Sequence, residues 1–543
     1  MNGTEAIARI LKKEGIEWIS CFPSNPVIEA AAKEGIRPIA FRHERGGMMA
    51  ADGFSRMSDR NQFGVFAMQN QAGAENSMGG VSQAFADNIP VLVLPGAPAL
   101  HRINIRPEFS AVDTFRNVLK YGELVNKVEQ IPDVMRRAFH HLRNGRPGPV
   151  MIELPSDVGA SELNIDIDTY HSPTKNIQLP SKSSIKDTVS ALLKAKNPII
   201  WSGMGVLFSQ STEELKELAE LLSLPVYTSM PGKSGFDETH PLSLGAGSGA
   251  TTGAAVKWLD ESDLVLALGT SLTRTPYART IPDGKTIIHN VVSVEDINKD
   301  YNVEISLPGD TKETIKLLID EIKSQVGDKG KQRPEVIKEI ESVKSKWLEQ
   351  WLPILTDDEG PINPYRLIWE LDQTVDKTKS VVTHDAGAPR DMMVPFYNAT
   401  TPHGYVGWGK TTHLGFGIPL MIGVKKAFPD KFCVNFMGDG AFGMSGLDIE
   451  TSVRSNLPIT TILLNNGGMA TYPGGFPTAR EVYGVSHMFG EYWKIAEGMG
   501  ATGIKITKPS EIKPALIQAQ KLNSEGKTVL IDAHTKFADQ RSN

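Results

Sequence analysis

What most limits the fold of this 543-residue chain is an alternation: short apolar runs are separated by helical stripes, in three successive blocks. The first block carries runs at Trp18–Phe22, Pro38–Phe41, Phe63–Met68, Pro90–Leu94 and Pro149–Leu154. The second carries Pro198–Ser202, Pro225–Thr228, Leu264–Leu268 and Thr286–Asn290, and the third Ser380–His384, Phe432–Met437, Thr460–Leu464 and Thr528–Asp532. Strands covered by helices on both faces read as continuous apolar runs, so this rhythm predicts parallel sheets with helical crossovers. Two polar stretches interrupt it. Ser161–Asp187, with Pro173 and Pro180, has no sustained period, and residues 326–360 hold one charged helix between Gly- and Asp-rich flanks. Three α/β domains follow, over residues 1–160, 185–325 and 361–543, because a chain this long exceeds a single core.

A formal net charge of −6 with no basic block excludes an electrostatic footprint for nucleic acid or an anionic membrane. Small-molecule chemistry is the remaining class. The N-terminal stretch MNGTEAIARILKKEGI is an amphipathic helix pattern rather than a signal peptide, and no run reaches the ~20 apolar residues of a spanning helix. Cys21 and Cys433 sit in apolar surroundings at strand ends and read as buried free thiols. A cytoplasmic protein is the expectation.

The sharpest chemistry lies between Cys433 and Gly468, in CVNFMGDGAFGMSGLDIETSVRSNLPITTILLNNGG. An apolar strand ends in Gly438-Asp439-Gly440, an amphipathic stretch of about four turns leads to Pro458, and a second strand ends in Asn465-Asn466. Parallel strands open their carboxyl ends on one edge, where ligands bind. One carboxylate and one amide are thereby brought together. Oxygen donors of this kind suit magnesium, which takes its remaining ligands from phosphates. Asp439 supplies charge, and the Asn466 amide oxygen and Gly468 carbonyl supply neutral ligation. Gly440 and Ala441 let backbone N–H groups at the following helix start approach a diphosphate.

Gly-Asp-Gly, then 24 residues, then Asn-Asn resembles the signature of thiamine diphosphate enzymes, and the whole chain is similar to the acetolactate synthase and benzoylformate decarboxylase superfamily. The resemblance implies pyrimidine-binding, central and diphosphate-binding domains in that order. It also implies a Mg2+ ion held by Asp439, Asn466 and the Gly468 carbonyl. The segment GKTTHLGFGIPLMIG, residues 409–423, resembles the stretch beneath the cofactor, with Leu414 as the apolar wedge that bends thiamine. Asp385-Ala386-Gly387-Ala388-Pro389 resembles the other diphosphate-side loop; its glycine fits, while Ala388 and Pro389 replace polar residues frequent in the synthases.

Residues 41–56, FRHERGGMMAADGFSR, resemble the corner around the family's activating glutamate. Glu44 is the candidate. A glutamate there hydrogen-bonds the pyrimidine and favours the tautomer that removes the thiazolium proton. Gly46-Gly47 and Ala50-Ala51 then serve close packing. In relatives the two halves of one site come from different subunits, which implies a homodimer or homotetramer with sites between subunits. The resemblance places Asn25, in CFPSNP, and Gln69, before QAGAEN, at substrate-facing positions, with His43 and His413 as weaker candidates.

The reaction is less constrained, since many chemistries share this fold and coenzyme. Where the synthases carry glutamine this chain has Ser110, and Ser156 stands in place of their lysine. Their arginine for the second oxoacid is unmatched, with Thr275 at its place and Arg274 one position off. The leading expectation is an acetolactate-synthase-like enzyme that decarboxylates a 2-oxoacid and joins the acyl unit to a second carbonyl. One alternative is a carbon–carbon lyase or simple decarboxylase acting on another 2-oxo or 2-hydroxyacyl substrate, a CoA thioester included. The other is a non-catalytic relative that binds the cofactor. FAD in the central domain is not favoured: WSGMGV, residues 201–206, keeps nucleotide-like glycine spacing, but Leu272-Thr273-Arg274 lacks the synthases' paired aspartates.

Overall fold

The computed structural model describes residues 1–469, 475–538 and 540–542. Among them, eighteen strands form three six-stranded sheets whose neighbouring strands all pair in parallel.

The first sheet contains β1 (Trp18–Cys21), β2 (Arg37–Ala40), β3 (Gly64–Met68), β4 (Val91–Ala97), β5 (Tyr121–Leu124) and β6 (Val150–Pro155), in the order β2-β1-β3-β4-β6-β5. The second contains β7 (Pro198–Ser202), β8 (Val226–Ser229), β9 (Ser243–Gly247), β10 (Leu264–Leu268), β11 (Thr286–Val291) and β12 (Ile305–Pro308), ordered β12-β11-β10-β7-β8-β9. The third contains β13 (Ser380–His384), β14 (Tyr405–Val406), β15 (Phe432–Gly438), β16 (Thr460–Asn465), β17 (Thr502–Ile506) and β18 (Val529–His534), ordered β14-β13-β15-β16-β18-β17. The α/β class with three parallel sheets is therefore observed. The first and third sheets reverse at their far edge, where β6 and β18 insert inside β5 and β17, and in each sheet the chain crosses back past its first strand, between β1 and β3, between β7 and β10, and between β13 and β15. Those switch points are where an open α/β sheet offers a crevice to a ligand.

The apolar runs mark thirteen of these strands and leave five unmarked: β5, β9, β12, β14 and β17. All five are sheet edges. β5, β12 and β17 are only partly buried, so they need no continuous apolar run, while β9 (SLGAG) is buried through small residues and β14 has two residues. The amphipathic stretch after Asp439 is also not one helix. It forms Asp439–Ser445 and Asp448–Ser455, separated at Gly446-Leu447. The helix Lys182–Lys194 starts inside the stretch read as a connector, because Ser181 caps it by accepting from the Ser184 N–H at 3.1 Å.

The chain divides into two compact units. One comprises residues 1–176, 411–430 and 445–459 and holds the first sheet; the other comprises 177–410, 431–444 and 460–543 and holds the second and third. In the first unit four helices matter: α1 (Gly3–Lys13), α2 (Pro26–Lys33), α3 (Glu44–Met57) and α4 (Ala72–Asp87). Only Arg45 of α3 is not fully buried. A Cβ on Gly53 would lie 2.3 Å from the Leu420 carbonyl, and one on Gly423 would lie 2.0 Å from the Ala50 carbonyl, so glycines let α3 and the Gly417–Ala427 helix approach backbone to backbone. Cys21 and Cys433 are buried free thiols. Among the described residues no helix is long and apolar enough to cross a membrane.

Candidate functional site

In the second unit, β15 and β16 run side by side with Gly438 paired to Leu464, so their carboxyl ends deliver Asp439 and Asn465-Asn466 to one edge. Asp439 is 2 % exposed. Its Oδ1 accepts the Gly440 N–H at 2.8 Å and its Oδ2 the Gly467 N–H at 3.1 Å, which ties the two strand ends together. Burial pushes the Asp439 carboxyl up to about 6, against the pull of these backbone donors. A nearby cation would reverse that balance.

The two asparagines divide their work. Asn465 is locked, its amide donating to the Gly490 carbonyl and to Asp532 Oδ1, both at 3.0 Å. The Asn466 Oδ1 accepts the Gly468 N–H at 3.0 Å and keeps a second lone pair. Residues 467–469 pair with 486–488 through Met469 N–H to Ser486 and Met488 N–H to Gly467, which leaves the Gly468 carbonyl without a hydrogen bond among the described residues. Asn466 and Gly468 also line a cavity of about 780 Å³ with Arg480, His487 and His534.

These atoms fit a hard divalent cation. The donor set is one carboxylate, one amide oxygen and one carbonyl. No group of three or more His, Cys, Asp or Glu able to hold a metal occurs among the described residues, and a magnesium ion commonly takes further ligands from phosphate or water. A Cβ on Gly438 or on Gly387 would meet nothing within 4 Å among the described residues. Gly387 has φ +83° and caps the Ala388–Phe396 helix, which follows β13 on the other strand of the switch point. The Gly440 N–H is already engaged by Asp439, and Ala441 is buried at the start of the helix.

The second sheet's switch point is built differently. A Cβ on Gly203 would lie 2.5 Å from the Gly269 carbonyl and one on Gly205 2.6 Å from the Gly269 Cα. The N–H groups of Gly203 and Gly205 donate to the Leu268 and Gly269 carbonyls at 2.9 and 2.7 Å. The glycines of WSGMGV thus serve a close approach of two loops rather than a tight turn, and neither has a positive φ. Nearby Arg274 is stacked on Tyr301, 4.3 Å from its ring centre.

In the first unit, α3 starts at Glu44 after the His43 cap, whose Nδ1 accepts the Arg45 N–H at 3.2 Å. Glu44 is 2 % exposed, and its Oε2 accepts from the Asn76 amide of α4 at 2.9 Å. No other hydrogen bond to its carboxyl occurs among the described residues. The corner is tight: a Cβ on Gly46 would lie 2.3 Å from Asp448 Oδ2 and one on Gly47 2.6 Å from the Phe66 ring. Asp448 accepts the Arg42 N–H at 2.9 Å. Ser110 donates to the buried Glu153 at 2.6 Å.

Asn25 and Gln69 flank the β1/β3 switch point, but differently. Asn25 caps α2 by accepting the Val27 N–H, and its amide donates to the Met68 and Leu94 carbonyls at 2.8 and 2.9 Å. Both donors are committed to backbone. The half-buried Gln69 amide has no hydrogen bond among the described residues. Leu414 and His413 are half-buried, with burial holding the His413 imidazole below its ordinary pKa, and His43 is exposed. Sequence reading passed over Asn76 and Asp448, because an exposed helix position and a helix-start aspartate carry no local mark of the partner they meet.

Family models match all three blocks: "Thiamine pyrophosphate enzyme, N-terminal TPP binding domain" over residues 1–119, the central domain over 185–318, and the "C-terminal TPP binding domain" over 385–533. Similar proteins include a probable acetolactate synthase large subunit of Methanococcus aeolicus, 31% identical over 96% of this chain and 90% of that protein. The acetolactate synthase large subunit of Buchnera aphidicola subsp. Schizaphis graminum is 29% identical over 98% and 94%. A probable large subunit of Methanocaldococcus jannaschii is 30% identical over 96% and 90%.

Proposed function

The chain belongs to the thiamine pyrophosphate enzyme family, and from that premise we propose a magnesium-dependent enzyme, similar to acetolactate synthase, that decarboxylates a 2-oxoacid and joins the remaining acyl unit to a second carbonyl compound. The observation that carries this reading is the oxygen donor set of Asp439, Asn466 and Gly468 beside the open glycine Gly438. Asp439, Asn466 and the Gly468 carbonyl hold Mg2+, while Gly387, Ala388, Gly440 and Ala441 border the diphosphate. Thiamine diphosphate, when bound, supplies the electron sink for the pair released as the bond to the carboxyl carbon breaks. Glu44 would meet the pyrimidine through its carboxyl, Leu414 would pack beneath the coenzyme, and Gln69 would present an amide to the substrate. Asn25 acts one step back, fixing the end of β3 and the middle of β4 beside Gln69.

The smallest active form is a homodimer in which Glu44 of one subunit and the metal-holding residues of another serve the same coenzyme, in the cytoplasm. Flavin is possible but not favoured in this reading, since loop packing accounts for Gly203 and Gly205 without a nucleotide. One observation favours a second reading. Arg274 is occupied by Tyr301 and Ser110 by Glu153, so neither marks a pocket for a second oxoacid, and a lyase or simple decarboxylase on another 2-oxo or 2-hydroxyacyl substrate is consistent with both.

A substrate panel with added thiamine diphosphate and magnesium, scoring carbon dioxide and coupled products, tests the proposal. Acetolactate from pyruvate supports the first reading, and inert pyruvate with turnover of another acyl substrate supports the second. Protein that ignores the coenzyme overturns both.

A further inference from the structure

Helices α3 and α4 lie against each other with their contacts in the same order along both. Glu44 meets Asn76 at the start. One turn on, a Cβ on Gly80 would lie 2.7 Å from the Met48 side chain, so glycine permits the close approach. At the far end Arg56 donates to Asp52 at 2.5 Å and to Asp87 at 2.9 Å, and Gln83 donates to Asp87 at 2.8 Å. Arg56, Asp52, Asp87 and Gln83 are all buried, between 0 % and 4 % exposed. A buried ion cluster is weak as a source of stability but suited to fixing register, because shifting one helix by a turn would strand an uncompensated charge. Here the register it fixes is the one that sets Asn76 opposite Glu44.

The geometry points to Asn76 as a positioning residue for Glu44, which rests on the reading of Glu44 given above. An amide N–H on Oε2 holds the carboxyl in one rotation and leaves Oε1 as the oxygen presented to the pyrimidine. A carboxylate without that tether would rotate about its last bond, and a misplacement near 1 Å lowers rates about 100-fold. Asn76 itself is exposed in this chain, so its substitution leaves the core untouched.

The test is hydrogen–deuterium exchange at the thiazolium carbon of the coenzyme in the holoenzyme, measured without substrate, alongside the thermal midpoint. Glu44→Gln sets the scale, with an expected loss of about 100-fold or more. Asn76→Ala is expected to slow exchange by about 10- to 100-fold with the midpoint unchanged. The near-isosteric Asn76→Asp, which keeps the shape and loses the donor, should fall at least as far. Adding Asn76→Ala to Glu44→Gln should cause no further loss, since the two act through one group. Exchange within about twofold of wild type in both Asn76 variants overturns the inference, as does a double variant that loses the full product of the single effects. If Glu44→Gln itself exchanges at the wild-type rate, the reading of Glu44 fails first, and the two failures are thereby told apart.

Discussion

The second and third sheets of the same unit both carry glycine loops where their strand order reverses, yet the two crevices are opposite in kind. At β7 and β10 the glycines are filled by the chain's own backbone, with Gly203 and Gly205 pressed on Gly269 and their N–H groups already bonded. At β13 and β15, a Cβ on Gly387 or Gly438 would meet nothing within 4 Å, and the Gly468 carbonyl beyond β16 has no hydrogen bond, among the described residues. Glycine spacing alone therefore does not separate a ligand cradle from a packing contact. What separates them is whether a Cβ would strike protein.

The largest expected effect comes from removing the charge at the open crevice. Asp439→Ala should weaken magnesium-dependent thiamine diphosphate binding more than about 100-fold by calorimetry, a loss beyond that of typical residues supporting a metal ligand. The coenzyme-free fold should lose little, because its carboxyl is already pushed up to about 6 by burial. Next, Gly205→Ala should destabilise the fold by about 1–3 kcal/mol, as overpacking does, measured by denaturant unfolding, and leave coenzyme affinity unchanged. Gly438→Ala should do the reverse, with coenzyme affinity falling about 10-fold and denaturant midpoint unmoved. If the two glycine variants gave the same readout, the contrast between the crevices would be wrong.

The smallest effect is a pH dependence at the Glu44 corner. Burial pushes the Asp448 carboxyl up to about 6, against the Arg42 N–H and the Thr451 hydroxyl. An acid whose folded pKa is raised binds more protons folded than unfolded, so its contribution declines as pH rises from about 4 through 6. Asp448→Asn should flatten that stretch of the stability curve, since Asn keeps an oxygen for both donors. An unchanged slope would mean that this corner is not where the strain of burial sits.

Legibility followed burial. Strands sandwiched on both faces had to be apolar and showed themselves as runs, whereas β5, β12 and β17 at sheet edges are half covered and did not. The strand–helix–strand around Asp439 was legible because all its parts are local in sequence. The Asn76 contact to Glu44 and the Asp448 contact to Arg42 cross 32 and 406 residues, and no local pattern records them.

By itself the sequence determined the α/β class and the residues that bring oxygen donors to adjacent strand ends, since both follow from periodicity and spacing within short segments. Only the tertiary structure decided which glycines are open, which asparagine of the 465–466 pair is locked, and which partner holds each buried carboxylate. Those outcomes depend on distances between segments far apart in the chain, and such distances exist only once the chain has packed.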